Sequence, residues 1–199
     1  MRELKAIQTE YKGYLFRSRL EARWAVFFDA CGVDWEYEPE GYDLGDGICY
    51  LPDFLLHGVD GRAGGDLFVE VKGKMTGSDA EKIHRFTASP DQGDYYDPLN
   101  PLLIVGRIPE GETASELREY ISDQAYQDMG GDLYPFNFET VDGDYFAAHP
   151  GINKDGGFEL FGDDCSYLCD QDDEATVAAY RAARQARFEF GEKPEGRTR

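Results

Sequence analysis

The stretch that most restricts what this chain can become runs from Tyr50 to Lys74: Tyr-Leu-Pro-Asp-Phe-Leu-Leu, a glycine-rich turn, then Leu-Phe-Val-Glu-Val-Lys-Gly-Lys. Both halves are apolar, and Asp60-Gly61-Arg62-Ala63-Gly64-Gly65 between them predicts a hairpin. A turn centred on Gly61 and Arg62 sets Asp53 opposite Glu70, since the two are equidistant from that centre. Side chains alternate along a strand, so Glu70 and Lys72 share one face while Val69 and Val71 point to the other, towards a core. Opposed strand residues have Cβ atoms roughly 5 Å apart, which lets two carboxylates share one hard divalent cation through oxygen bonds of about 2.1 Å. Lys72 then lies beside that ion. The competing reading is an ordinary surface hairpin whose Glu and Lys are solvated or paired across strands.

Neither half of the pattern is informative alone. Acid-any-Lys also occurs at Glu3-Leu4-Lys5 and Glu10-Tyr11-Lys12, and Pro-Asp recurs at Pro90-Asp91. Only Glu70 to Lys72 sits in a β-patterned run, and only Pro52-Asp53 precedes it at hairpin distance.

The flanks supply a context. After a polar lead-in over residues 1–13, a helix capped near Ser18 carries Leu20, Trp24, Phe27, Phe28 and Cys31 as its buried stripe and ends at Gly32. Glu21 on that helix is flanked by Arg17, Arg19 and Arg23, the densest positive cluster of the chain, read either as a solvated face or as phosphate contacts. Residues 33–38 alternate as a strand, and residues 41–51 read as a further bend of the same meander around Asp46-Gly47. Beyond the hairpin, Ser78-Asp79-Ala80-Glu81 is a capping box for a helix to about Ala88 carrying Lys82 and Arg85. Asp91 to Pro98 is a polar loop, and residues 101–106 are a strand apolar on both faces. The order is αβββαβ, and a helix between strands implies a right-handed crossover with at least one parallel pairing.

Past Pro109 the pattern loosens: a capping box at Thr113-Ala114-Ser115-Glu116 opens a helix towards Gly130-Gly131, and strands follow within Leu133 to Ala147 and Phe158 to Phe161. A last helix over Asp173 to Phe190 carries Arg181, Arg184 and Arg187, expected to pair mainly with the protein's own acids. The division is a core over residues 1–108, an extension of unknown role over 109–190 and a disordered tail over 191–199.

Composition cuts against one class of partner. A net charge of -20 opposes a surface built to grip phosphates. Asp outnumbers Glu, Arg outnumbers Lys, and only seven lysines occur, the composition expected of a salt-adapted, soluble, cytoplasmic protein with no membrane association. Cys31 and Cys49 are read as packed thiols, while Cys165 and Cys169 have loose zinc-like spacing without a second pair. No phosphate-binding glycine loop, His-Glu-x-x-His or Ser-His-Asp elbow offers another chemistry.

With Glu21 on the first helix, Pro52-Asp53, Glu70-Val71-Lys72 and the order αβββαβ in place, residues 14–108 resemble the PD-(D/E)XK nuclease superfamily. The run from Phe16 to Ala25 resembles that of small stand-alone nucleases of viruses and mobile elements. The resemblance implies an α/β fold with a mixed sheet (α+β), a restriction endonuclease-like core, and Mg²⁺-dependent hydrolysis of DNA, with Mn²⁺ as a substitute ion. It implies that Asp53, Glu70 and the Val71 carbonyl bind the metal, that Lys72 serves the attacking water and the developing charge, and that Glu21 completes the outer shell or binds a second ion. Arg17, Arg19, Arg23, Lys74, Lys82 and Arg85 are the expected DNA contacts. A catalytically inactive interaction module on the same fold is the alternative, and pairing into a homodimer stays open.

Overall fold

The computed structural model describes residues 7–59, 65–88, 100–125, 137–139, 145–162 and 171–188. Strands β1 (Thr9–Tyr11) and β2 (Tyr14–Phe16) form a hairpin ahead of the first helix, where a polar lead-in was expected. Its turn, Lys12-Gly13, has φ of 49° and 87°, the left-handed pair that matches strand twist. Three-residue strands are too short for alternation to register, which is why the hairpin is silent in the sequence. Its last residue, Phe16, is fully buried against Tyr37 and Phe54, so the chain enters the first helix from a fixed point.

Helix α1 (Arg19–Cys31) begins and ends as predicted. The Ser18 side chain accepts the Glu21 amide, and Gly32 at φ 71° donates its N–H back to the Asp29 and Phe28 carbonyls. There follow β3 (Asp34–Tyr37), β4 (Tyr42–Asp43), β5 (Cys49–Tyr50), β6 (Phe54–His57), β7 (Leu67–Val71), α2 (Gly77–Thr87) and β8 (Leu102–Val105). Helix α3 (Ala114–Ala125), β9 (Asn137–Glu139), β10 (Tyr145–Ile152), β11 (Phe158–Gly162) and α4 (Asp173–Gln185) complete the chain. The protein is thus a mixed α/β structure.

Seven strands form one sheet in the order β11-β10-β9-β8-β7-β6-β3, antiparallel except for the parallel pair β7-β8. That pair is joined through α2, as the crossover argument requires. Alternation then sorts the side chains. Val69, Val71, Leu103 and Val105 face a core shared with α1 and α4, while Phe68, Leu102 and Ile104 face a second cluster with Ile83 and Phe86 of α2 and Tyr50 of β5. The central strands are buried on both faces.

Several expectations need correction. Strands β4 and β5 pair only with each other, as a separate two-stranded sheet, and do not continue the meander. Helix α2 is capped by Thr76, whose side chain and backbone exchange hydrogen bonds with Asp79, two residues earlier than the Ser78 box. Thr76-x-x-Asp79 supplies the same reciprocal pairing, with Asp in place of the usual Glu. Cys31 is buried but Cys49 is exposed, because β5 has no sheet partner besides β4. Helix α4 ends at Gln185. The sheet and the larger core both run across residue 108 without a break. The hairpin turn at 60–64, the loop over 91–98, Gly130-Gly131, Cys165, Cys169 and the tail over 191–199 lie outside the described residues. No described helix is long and apolar enough to cross a membrane.

Candidate metal centre

Strands β6 and β7 pair as Phe54↔Val69, Leu55↔Phe68 and Leu56↔Leu67. One further step along this register sets Asp53 opposite Glu70. Neither carboxylate is solvated: Asp53 is 2% exposed and Glu70 3%. That burial removes the reading of a surface hairpin, because a bare buried carboxylate is costly unless it is paired.

Every oxygen of the pair has a partner. Asp53 Oδ2 accepts the Val71 amide at 2.7 Å, and Oδ1 accepts Nη2 of Arg17. Glu70 Oε2 accepts the Tyr50 hydroxyl at 2.6 Å, and Lys72 Nζ stands 3.1 Å from Oε1. Lys72 in turn lies 3.8 Å from Asp79 Oδ1, on the first turn of α2. The capping box that starts α2 therefore also helps to place Lys72.

The electrostatics follow from burial and crowding. Asp53 is pushed well above the ordinary carboxylate range by burial first and the Glu70 charge second; Glu21 adds to this, and the Val71 amide and Arg17 only partly oppose it. Glu70 is raised by burial, against the pull of Lys72 and the Tyr50 hydroxyl. Burial disfavours charge on Lys72, yet Glu70 and Asp53 more than compensate and hold it cationic. Two mutually repelling carboxyls of raised pKa, kept close by strand pairing, form a place where added positive charge is favoured.

Glu21 stands back from this pair. It is 7% exposed; its Oε1 accepts the Ser18 hydroxyl at 2.7 Å, while Oε2 accepts the Tyr37 hydroxyl at 2.6 Å and the Arg17 amide at 3.0 Å. Glu21 thereby braces the turn that carries Arg17, and its charge also acts on Asp53. No family model, curated protein or solved structure matches this chain.

The predicted basic contacts have different surroundings. Arg17 turns inward to Asp53, with its Nε 2.8 Å from Glu38 Oε1. Arg23 reaches 3.4 Å to the Ala186 carbonyl beyond the end of α4, and Arg19 is half-buried at the start of α1. Arg85 pairs with Asp46 at 3.0 Å and Glu81 at 2.9 Å. Lys74 is exposed just after Lys72, and Lys82 is half-buried on α2. Arg181 and Arg184 both pair with Glu112, at 2.8 and 3.0 Å, as expected for internal ion pairs.

The donor set suits a hard ion. Among the described residues no group of three or more His, Cys, Asp or Glu side chains is placed to hold a metal; Asp53 and Glu70 are a pair of carboxylates only. Mg²⁺ is commonly bound by one or two carboxylates, with water and substrate phosphate filling the rest of its octahedron.

Two residues that sequence reasoning passed over matter here: Tyr50 on Glu70 and Tyr37 on Glu21. Tyr50 sits on β5 at the foot of the Pro52-Asp53 segment, and only the three-dimensional path brings its hydroxyl to Glu70. Tyr50→Phe removes a bond that favours the charged carboxylate, so the Glu70 pKa is expected to rise further, with a stability loss of roughly 1–3 kcal/mol. Carboxyl-carbon NMR titration checks it; an unmoved Glu70 resonance would detach Tyr50 from the site.

Proposed function

We propose that this protein is a Mg²⁺-dependent DNA nuclease with a PD-(D/E)XK-type core, in which α1, β3, β6, β7, α2 and β8 supply the order αβββαβ. The observation that carries this reading is the burial of Asp53 and Glu70 at opposed positions of one hairpin, with the Lys72 ammonium 3.1 Å from Glu70. Asp53 and Glu70 would hold the ion, with the Val71 carbonyl as the third expected ligand. When bound, Mg²⁺ supplies a Lewis acid for the phosphoryl group and lowers the pKa of water.

The chain's own residues do the rest. The Val71 amide and the Tyr50 hydroxyl orient the two carboxylates, each through one oxygen. Lys72, held cationic and anchored between Glu70 and Asp79, faces the negative charge that develops on the phosphoryl oxygens. Glu21 and Tyr37 fix the backbone at Arg17. The surface charge of -20 makes long-range attraction to DNA weak, so affinity rests on the local site and on the ion.

Lys72→Met tests this division of labour. It is expected to lower cleavage on the order of a hundredfold to a thousandfold while leaving Mn²⁺ binding, measured by calorimetry, intact or tighter. The assay compares supercoiled, linear, single-stranded and junction DNA with Mg²⁺, Mn²⁺ or chelator. Wild-type protein that cuts none of them with either metal would favour the non-cutting interaction module instead.

A further inference from the structure

Each acid of the centre already has a cation without a metal. Two buried carboxylates, Asp53 and Glu70, face two cations, Arg17 and Lys72, one on each acid. Lys72 leaves its strand beside Glu70 and has Asp79 as a second partner, so it belongs to the rigid part of the site. Arg17 is different. Its backbone amide is clamped by Glu21 and the Tyr37 hydroxyl, both at 3.0 Å, yet its side chain is 49% exposed, with the partly exposed Glu38 and the Tyr37 hydroxyl as its other partners. It therefore sits at the mouth of the site on a fixed hinge.

The oxygen it covers is the significant one. Asp53 Oδ2 accepts the Val71 amide, leaving Oδ1, which Arg17 occupies, as the oxygen whose only described partner is a side chain. A divalent ion bound through Oδ1 competes with the guanidinium for that oxygen and is repelled by its charge. Once displaced, the Arg17 guanidinium is released beside Lys72 at the carboxylate–metal group, and cations there suit a phosphodiester. A planar guanidinium with five donors is suited to exchange a carboxylate for a phosphate.

Resting on the nuclease reading above, we propose that Arg17 is a displaceable counter-ion: it caps Asp53 Oδ1 until a divalent metal enters, and then binds a phosphate of the DNA strand at the site. Metal and DNA binding are thereby coupled. Each removes Arg17 from the position the other needs vacated, and by linkage the coupling is reciprocal. Arg17 is thus a positioning residue, and its effect appears in metal affinity in the absence of DNA.

Calorimetric titration with Mn²⁺, without nucleic acid, separates the outcomes. Arg17→Gln is expected to bind Mn²⁺ about tenfold more tightly than wild type, within the usual range of coupling between sites. Arg17→Lys, which keeps the competing charge, should stay close to wild type. Fluorescence anisotropy with a short DNA duplex and Mn²⁺ should show Arg17→Gln binding DNA more weakly despite its tighter metal. Equal or weaker Mn²⁺ affinity in Arg17→Gln, or equal tightening in Arg17→Lys, overturns the counter-ion role while leaving the nuclease reading standing. Failure of wild type and both variants to bind Mn²⁺ at millimolar concentration overturns the metal centre itself, and this inference with it.

Discussion

Asp53→Asn is expected to abolish metal-dependent cleavage, by a factor on the order of a thousand, and at the same time to raise the melting temperature at neutral pH. The two effects share one cause. Asp53 carries a pKa well above the ordinary aspartate value because burial and the Glu70 charge oppose its ionisation. A carboxyl that holds its proton more tightly when folded favours folding at low pH. That contribution is present below the unfolded value near 3.8 and is lost as pH rises through the higher folded value. At neutral pH Asp53 is therefore a net burden, since its ionisation is opposed in the folded state and free in the unfolded one, and Arg17 only partly relieves this.

Asparagine keeps an acceptor for the Val71 amide and discards the charge that opposes Glu70; its amide NH2 faces the Arg17 donor, a cost limited because Arg17 keeps Glu38 and can turn to solvent. Each kcal/mol gained should appear as about 2–4 °C in a chain of this size. Thermal melts of both proteins across pH give the decisive pattern. The advantage of Asp53→Asn should be present at pH 7 and shrink towards zero as pH approaches 4. An advantage independent of pH would show that carboxylate repulsion is not its source. Such a trade, stability given up where two acids are forced together, is what a metal-binding role predicts.

The hairpin register was legible because it depends on counting: the distance from turn to acid is the same on both strands, and the observed pairs obey it. The caps of α1 were legible for a similar reason, Ser18 and Gly32 being local signals with local causes. What stayed hidden depends on how separate elements meet. Arg17 belongs to an arginine cluster in sequence, and its inward turn to Asp53 is set by the β1-β2 hairpin and the clamp from Tyr37, neither of which leaves a periodic trace. Glu21 has the spacing of a helix brace from Ser18, and the tyrosine hydroxyl that completes its hydrogen bonds comes from a separate strand. The capping box of α2 slipped by two residues because Ser78-x-x-Glu81 and Thr76-x-x-Asp79 overlap, and the backbone selected the second.

Tyr180→Ala should produce the largest loss of stability, about 3–5 kcal/mol by the usual cost of deleting a large buried ring, a major part of the roughly 5–15 kcal/mol that holds a domain folded. Tyr180 lies on α4, in the half of the chain that the resemblance leaves unexplained, yet it is fully buried. Its ring packs 4.3 Å from Phe27 and 6.2 Å from Trp24 of α1, centroid to centroid, and its hydroxyl donates to the Pro150 carbonyl at 2.6 Å. Trp24 in turn donates its indole N–H to the Gly106 carbonyl at 2.9 Å, just past β8. The same helix whose first turn braces Arg17 is thus held from behind by α4, and the sheet that presents Glu70 is extended by β9, β10 and β11. Urea unfolding followed by two signals tests this continuity, because both tryptophans, Trp24 and Trp35, lie in the first half, whereas circular dichroism averages over the whole chain. Coincident transitions, shifted together in Tyr180→Ala, are expected of one cooperative unit. Tyr180→Phe should lose only the roughly 1–3 kcal/mol of an unsatisfied buried carbonyl. A tryptophan transition that stays in place while the dichroism transition moves would make the second half an appendage, and would remove α4 from any part in holding the site.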